Sequence, residues 1–333
     1  MTRDGLRIGM CTARALHGKY ISDMTRVRIL VLSLPFFVLC FVYVPLMNTT
    51  VRNNIMHVIK ARGYVSPNIA TLKVSSTDTS GVRLLCWIMT SPQTVVSKAT
   101  HVQNTWGKRC DKLLFMSSNG TKEQAKHLPV VELPVKEGRE QLWQKTKEAF
   151  LHIYSLYLHD YDWFLKADDD TYVIVENLRH FLSNKNQKEA IYYGRRFKPY
   201  VKQGFMSGGA GYVLSRQAIR SLILTGNSTT TYLKSKCAEF FIGEDVQLGR
   251  CLELVGVKAG DTRDSEGKER FFPLNPENHI VPGSIPRNSW YWSHLYYPHI
   301  QGCSRSVISF HYIKPKMMYA LDYFVYNMTL PTK

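Results

Sequence analysis

Three adjacent carboxylates, Asp168, Asp169 and Asp170, stand at the end of the apolar run Trp163-Phe-Leu-Lys-Ala. Packed acids repel one another unless a hard divalent cation sits among their oxygens. Such a cation can grip a phosphate-bearing substrate; the plain alternative is a solvated acidic turn. His311 ends a second apolar run, Val307-Ile-Ser-Phe. A neutral imidazole there could complete a metal site begun by the aspartates, although a lone histidine is usually structural. Glu244 and Asp245 open a stretch whose apolar positions (Val246, Leu248, Cys251, Leu252, Val255) fit one helix face, closed by Gly256. Pairing with the helix dipole explains both acids as completely as a catalytic role does. The segment 289–297, SWYWSHLYY, is dense in aromatics, which suit either a sugar face or a core. The glycines of 205–212, FMSGGAGY, permit a close backbone approach to a ligand or an ordinary tight turn. No Gly-Lys-Ser/Thr follows them, which excludes a P-loop.

The elements that must position these residues alternate. Apolar strand-like runs fall at 84–89, 112–116, 130–133, 163–167 and 190–194. Helical spacing fits 98–106, 141–157 and about 173–182, with 243–256 further on. This order predicts an α/β fold, a mostly parallel sheet with helices on both faces. Ligands of such sheets bind at the carboxyl ends of strands. The aspartates lie just past one such end, so their position agrees with a site independently of their composition.

A length of 333 residues allows one large domain or two smaller ones. The formal charge is +17, of which residues 1–28 carry +4, leaving +13 for the rest. A basic surface suits anionic partners. The absence of zinc-finger spacing, basic heptads and RNA-recognition signatures argues against nucleic acid as the partner. Residues 29–47, ILVLSLPFFVLCFVYVPLM, form an uncharged stretch just long enough to span a bilayer as a helix. Arg26 and Arg28 precede it, so the positive-inside rule puts 1–28 in the cytoplasm and everything after about 48 on the far side. A cleaved signal peptide is the rival, but the run is longer than a usual signal core. Residues 48–81 read as a Ser/Thr-rich stem and 82–333 as the globular part. Sequons at Asn48, Asn119, Asn227 and Asn327 agree with that topology. Of the cysteines beyond the span, Cys86, Cys110, Cys237, Cys251 and Cys303, short loops suggest the pairs 86–110 and 237–251, although sequence alone does not fix connectivity. Cys303 is then left over, free or available to a second copy in a homodimer.

Read in order, several long segments resemble the core 1 β1,3-galactosyltransferases, within the wider β1,3-glycosyltransferase group that includes Fringe. They run from about 84 to 326 and include HVQNTWGKRCDKLLFMSS, KEGREQLW, DWFLKADDDTYVIVENLR, YYGRRFKPYVKQGFMSGGAGYVLS and EDVQLGRCLELVGVKAGDTRD. The resemblance implies a GT-A fold, type II anchoring in the Golgi membrane with the catalytic domain lumenal, and Mn²⁺. It implies transfer of galactose from UDP-galactose to O3 of O-linked N-acetylgalactosamine on glycoprotein Ser/Thr, with inversion. It implies Asp168, Asp170 and His311 as metal ligands, and Asp168, Asp169, Met89, Glu137, Gly138, Arg139 and Lys145 in the nucleotide-sugar site. It implies Asp245 as general base and Tyr212, Trp290 and Tyr319 as acceptor contacts. Arg139 or Lys145 would then add positive charge near the diphosphate. A Fringe-like N-acetylglucosaminyltransferase and a non-catalytic chaperone-like paralogue are the alternatives; the paralogue lacks the Asp-Asp-Asp motif, which this chain keeps. Family members often carry two adjacent cysteines where this chain has Gly302-Cys303-Ser304.

Overall fold

The computed structural model describes residues 81–224, 237 and 243–329. The tail, the proposed span and the stem up to residue 80 lie outside the described residues, as does Asn227. No described helix is long and apolar enough to cross a membrane.

Strand β1 (Leu84–Met89) is buried along its whole length. Its alternate side chains feed two cores: Leu84, Cys86 and Ile88 enter one, and Leu85, Trp87 and Met89 the other. Burial on both faces is what a near-continuous apolar run means in a helix-covered sheet. The next strands are β2 (Lys112–Ser118), β3 (Val130–Leu133) and β4 (Trp163–Asp168), followed by the very short β5 (Tyr172–Val173). Then come β6 (Ile191–Gly194), β7 (Arg196–Phe197), β8 (Phe205–Met206) and β9 (Tyr212–Ser215). Strands β10 (Lys258–Ala259), β11 (Phe271–Phe272) and β12 (Ser309–Phe310) complete the set.

The main sheet has seven strands in the order β10-β6-β9-β4-β1-β2-β3. All neighbours are parallel except β9, which runs antiparallel to both β4 and β6. The expected mostly parallel α/β sheet is therefore present, with one reversed strand, β9, beside the central β4. That reversal puts the beginning of β9 beside the end of β4. The glycine-rich turn before β9 is thereby laid against the acidic triplet.

Helix Leu142–Tyr157 buries Trp143, Thr146, Phe150 and Ile153, an i, i+3, i+7, i+10 stripe that seats it on the sheet. Helix Glu244–Leu254 packs closely on β8. The 98–106 helix differs from expectation. It begins as a π-turn over Val95–Ala99, continues as α-helix over Thr100–Asn104 and ends in a 3₁₀ turn at Trp106–Arg109. The helix after the triplet starts later than periodicity suggested, at Val175. Tyr172 and Val173 are taken by β5, which pairs antiparallel with β12, Tyr172 opposite Phe310, and Ile174 caps the helix. A two-residue strand is too short to show a period, so the sequence could not reveal it.

The disulfides Cys86–Cys110 and Cys237–Cys251 both form. Cys303 is the free cysteine among the described residues. Burial pushes its thiol up to about 11 against the pull of Arg195. A half-buried, protonated thiol is a poor nucleophile for bridging a second chain.

Close packing of helix Glu244–Leu254 on β8 depends on Gly249, where an added Cβ would come within 2.5 Å of the Phe205 Cβ and 3.2 Å of its Cα. Neither atom can move without moving the backbone. Gly249→Ala is expected to lower stability by about 1–3 kcal/mol, read as a fall in the unfolding midpoint. An unchanged midpoint would mean this helix is not held against β8.

Candidate active site

Strands β1 and β4 end side by side, with Met89 in register opposite Asp168. Lys166, Asp168 and, across the strand pair, Tyr212 share one face, because side chains alternate along a strand. Lys166 is 2% exposed. Its Nζ donates to Asp168 Oδ1 at 2.6 Å and to the Gly208 carbonyl at 3.2 Å. Burial alone would lower its pKa, but Asp168, Glu244 and Asp245 together raise it, so this ammonium stays charged.

The three aspartates diverge. Asp168 keeps its other oxygen, Oδ2, 3.7 Å from His311 Nε2. Asp170 Oδ1 lies 3.1 Å from the same nitrogen, and its Oδ2 accepts from Lys98 Nζ at 2.9 Å. Asp169 turns inward to accept from the Thr90 hydroxyl at 2.8 Å. Burial raises its carboxyl to about 6, in spite of the Thr94 and Thr90 hydroxyls and Lys98. Burial would raise Asp170 as well, but His311 and Lys98 outweigh it and bring the group down to about 2.

Asp168, Asp170 and His311 each offer a ligand atom within 4.8 Å of the others. His311 arrives from far downstream because β12 pairs with β5, the strand that directly follows the triplet. Its Nδ1 lies 3.2 Å from the Pro273 carbonyl, which can only accept, so Nδ1 carries the proton. Nε2 lies within hydrogen-bond distance of Asp170 Oδ1, and a bound ion would take the place of the proton between them. Two oxygens and one imidazole nitrogen fit a divalent ion such as Mn²⁺, and a carbonyl fixing the tautomer is the usual outer support of a metal histidine. The triplet turn is held by Thr171, whose hydroxyl donates to the Gly209 carbonyl at 2.8 Å, and by Ile313 N–H, which donates to the Asp170 carbonyl at 2.8 Å.

Glu244 and Asp245 sit at the start of their helix, but not as an equivalent pair. Glu244 is buried, and its Oε1 accepts from the Thr146 hydroxyl at 2.8 Å and the Tyr212 hydroxyl at 2.7 Å. Asp245 is half-buried; Oδ2 accepts from Gly208 N–H at 3.0 Å and Oδ1 from Val246 N–H at 2.9 Å. Burial raises the Asp245 carboxyl above the ordinary aspartate range, against the two backbone N–H groups and Lys166. Gly208 thus touches both halves of the site, its carbonyl on Lys166 and its N–H on Asp245.

The structure repositions several residues named from the resemblance. Tyr212 is fully buried with its hydroxyl on Glu244, so it supports that carboxylate and presents no face to a sugar. Lys145 is buried; its Nζ donates to both Glu137 oxygens, at 2.7 and 2.9 Å, and to the Thr90 carbonyl at 3.0 Å. It pairs with Glu137 and ties that residue to the end of β1. Gly138 and Arg139 lie exposed on the loop beyond Glu137. Trp290 is 51% exposed on helix Trp290–His294, packed edge-on against Phe197 and His294. Tyr319 is exposed, and its hydroxyl meets His101 and Asn104 rather than the aspartates. Sequence reasoning passed over Lys166, Lys98 and Thr90. A lone lysine inside an apolar strand, two residues from Asp168, was a readable signal. Nothing in the sequence marked Lys98.

A family model described as Fringe-like matches residues 88–264. The chain is 47% identical over 251 residues to glycoprotein-N-acetylgalactosamine 3-beta-galactosyltransferase 1 of Xenopus laevis, covering 74% of this chain and 67% of that protein. It is 26% identical to human chondroitin sulfate synthase 3, over 51% of this chain and 20% of that protein. A solved galactosyltransferase, LgtC with donor and acceptor sugar analogs, overlays with TM-score 0.37 and 10% identity, over 74% of this chain and 97% of that one. So loose an overlay carries no argument.

His311 can reach the aspartates only because residue 209 lacks a side chain: a Cβ there would fall 2.3 Å from the imidazole. Gly209→Ala should fold yet bind Mn²⁺ at least about tenfold more weakly, as loss of a ligand's alignment does. Titration with Mn²⁺ followed by electron paramagnetic resonance measures this. Unchanged affinity would remove His311 from the ligand set.

Proposed function

Because the chain belongs to the Fringe-like glycosyltransferase family, we propose that it transfers galactose from UDP-galactose to O3 of N-acetylgalactosamine on Ser or Thr of glycoproteins, inverting the anomeric centre. The observation that carries this reading is the shared strip on which the Asp168–Asp170–His311 triad and Asp245 meet, joined through Lys166 and Gly208. The 47% identity to a 3-beta-galactosyltransferase supports the donor and acceptor. The mostly parallel sheet with its site at the strand ends supports the GT-A assignment.

Asp168, Asp170 and His311 hold Mn²⁺ in this reading. Such an ion, when bound, neutralises the charge that builds on a departing diphosphate. Asp245 takes the proton from the acceptor hydroxyl as its oxygen attacks. The raised pKa makes Asp245 a better base than an ordinary aspartate, and its two backbone N–H donors fix its direction. Glu244 cannot compete for that role, since Tyr212 and Thr146 occupy the same oxygen and the group is buried. A single base and no second carboxylate nucleophile means one displacement, hence inversion. Trp290 offers an exposed ring for the acceptor sugar. Residues 29–47 anchor the chain as a type II protein of the Golgi membrane, with residues after 48 lumenal.

Asp245→Asn should lower kcat by about 10²–10⁴-fold, the usual contribution of a general base, while UDP affinity stays within about twofold, because the base is not a nucleotide ligand. A variant with wild-type kcat would dismiss Asp245 as the base. Purified full-length protein assayed against a panel of UDP-sugars and O-linked acceptors should use UDP-galactose and N-acetylgalactosamine, and should lose turnover with EDTA. His311→Ala should raise the Mn²⁺ needed for half-maximal rate by at least about tenfold. Turnover indifferent to EDTA would rule out the ion-dependent mechanism.

A further inference from the structure

The chain places one more cation at the acidic triplet than the reading above uses. Lys98 projects from the π-turn Val95–Ala99, an irregular helical feature often found at functional sites. Its Nζ lies 2.9 Å from Asp170 Oδ2 and 3.7 Å from Asp169 Oδ1. The side chain is about one-third exposed, unlike the buried Lys166, so its head group lies at the rim of the site. It approaches the Asp170 carboxylate from the oxygen that does not face His311. Asp170 does not need Lys98 for its orientation, because His311 holds Oδ1 and Ile313 N–H holds the main chain. What Lys98 contributes is charge.

We propose that Lys98 couples the ion to the diphosphate, disfavouring the divalent ion when it is alone and favouring ion and nucleotide together. The inference rests on the reading of Asp168, Asp170 and His311 as ion ligands. A lysine touching a metal carboxylate repels a divalent ion lodged on the other side of that carboxylate. A diphosphate laid across the rim reverses the sign, since the ammonium then faces phosphate oxygens as a point charge. One residue therefore weakens the first binding event and strengthens the second, which is positive coupling, and coupling is reciprocal between the two ligands.

The test is a four-affinity cycle on the purified full chain: Mn²⁺ alone, UDP alone, Mn²⁺ with saturating UDP, and UDP with saturating Mn²⁺. Lys98→Met keeps the stem and removes the charge; Lys98→Arg keeps the charge. Mn²⁺ alone should bind Lys98→Met about two- to fivefold more tightly, the scale of a partly exposed ion pair. UDP alone should bind unchanged and UDP with saturating Mn²⁺ about fivefold more weakly, so the coupling factor falls about fivefold, with Lys98→Arg staying near wild type. A purely structural lysine would weaken both affinities in Lys98→Met, and that outcome overturns the proposal, as does an unchanged coupling factor. Wild-type protein that binds no Mn²⁺ with or without UDP would instead overturn the ion-site reading itself.

Discussion

A buried ammonium holds this site together. Lys166 has almost no contact with water, and an uncompensated charge there would be expensive. It survives because Asp168 touches it directly and Glu244 and Asp245 surround it. Those three acids come from two segments that the chain keeps far apart. Each would be costly to bury alone, and the lysine makes their convergence possible. Removing one partner would leave the others buried and unmatched, which costs more than the pair contributes in place.

The surrounding fold can be read as the means of bringing partners to that lysine. Strand β4 delivers Lys166 and Asp168 on one face. The reversed strand β9 returns the chain to the same spot, so that the glycine turn lays a carbonyl on Lys166 and an N–H on Asp245. Helix Leu142–Tyr157 sends Thr146 to Glu244, and β9 sends Tyr212 to the same oxygen. Pinning Glu244 from two sides leaves Asp245 as the more accessible acid of the pair. Two neighbouring carboxylates of similar chemistry thus become different by environment alone.

Much of this was legible in the residues. The alternation of apolar runs pointed to the α/β sheet, and the strand-end rule pointed to the aspartates as the place for a site. The triad of Asp168, Asp170 and His311 followed from ligand chemistry together with family resemblance, and the structure brings the three within reach of one ion. What stayed illegible was direction, since an aromatic ring or a cation in a motif says nothing about which way it points. Period-two alternation puts Tyr212 inside, against Glu244, and a nearby glutamate claims Lys145. The two-residue pairing of β5 with β12 left no trace in local sequence because it is specified by partners more than a hundred positions apart.

That same pairing sets a condition on synthesis. A chain still emerging from the ribosome holds its entire acidic triplet long before β12 exists, and with it a concentration of negative charge that has no imidazole opposite. All seven strands of the main sheet lie before residue 260, whereas His311 arrives only with β12. A transcript cut short after the main sheet would therefore carry the three aspartates of the triplet without the imidazole that faces them.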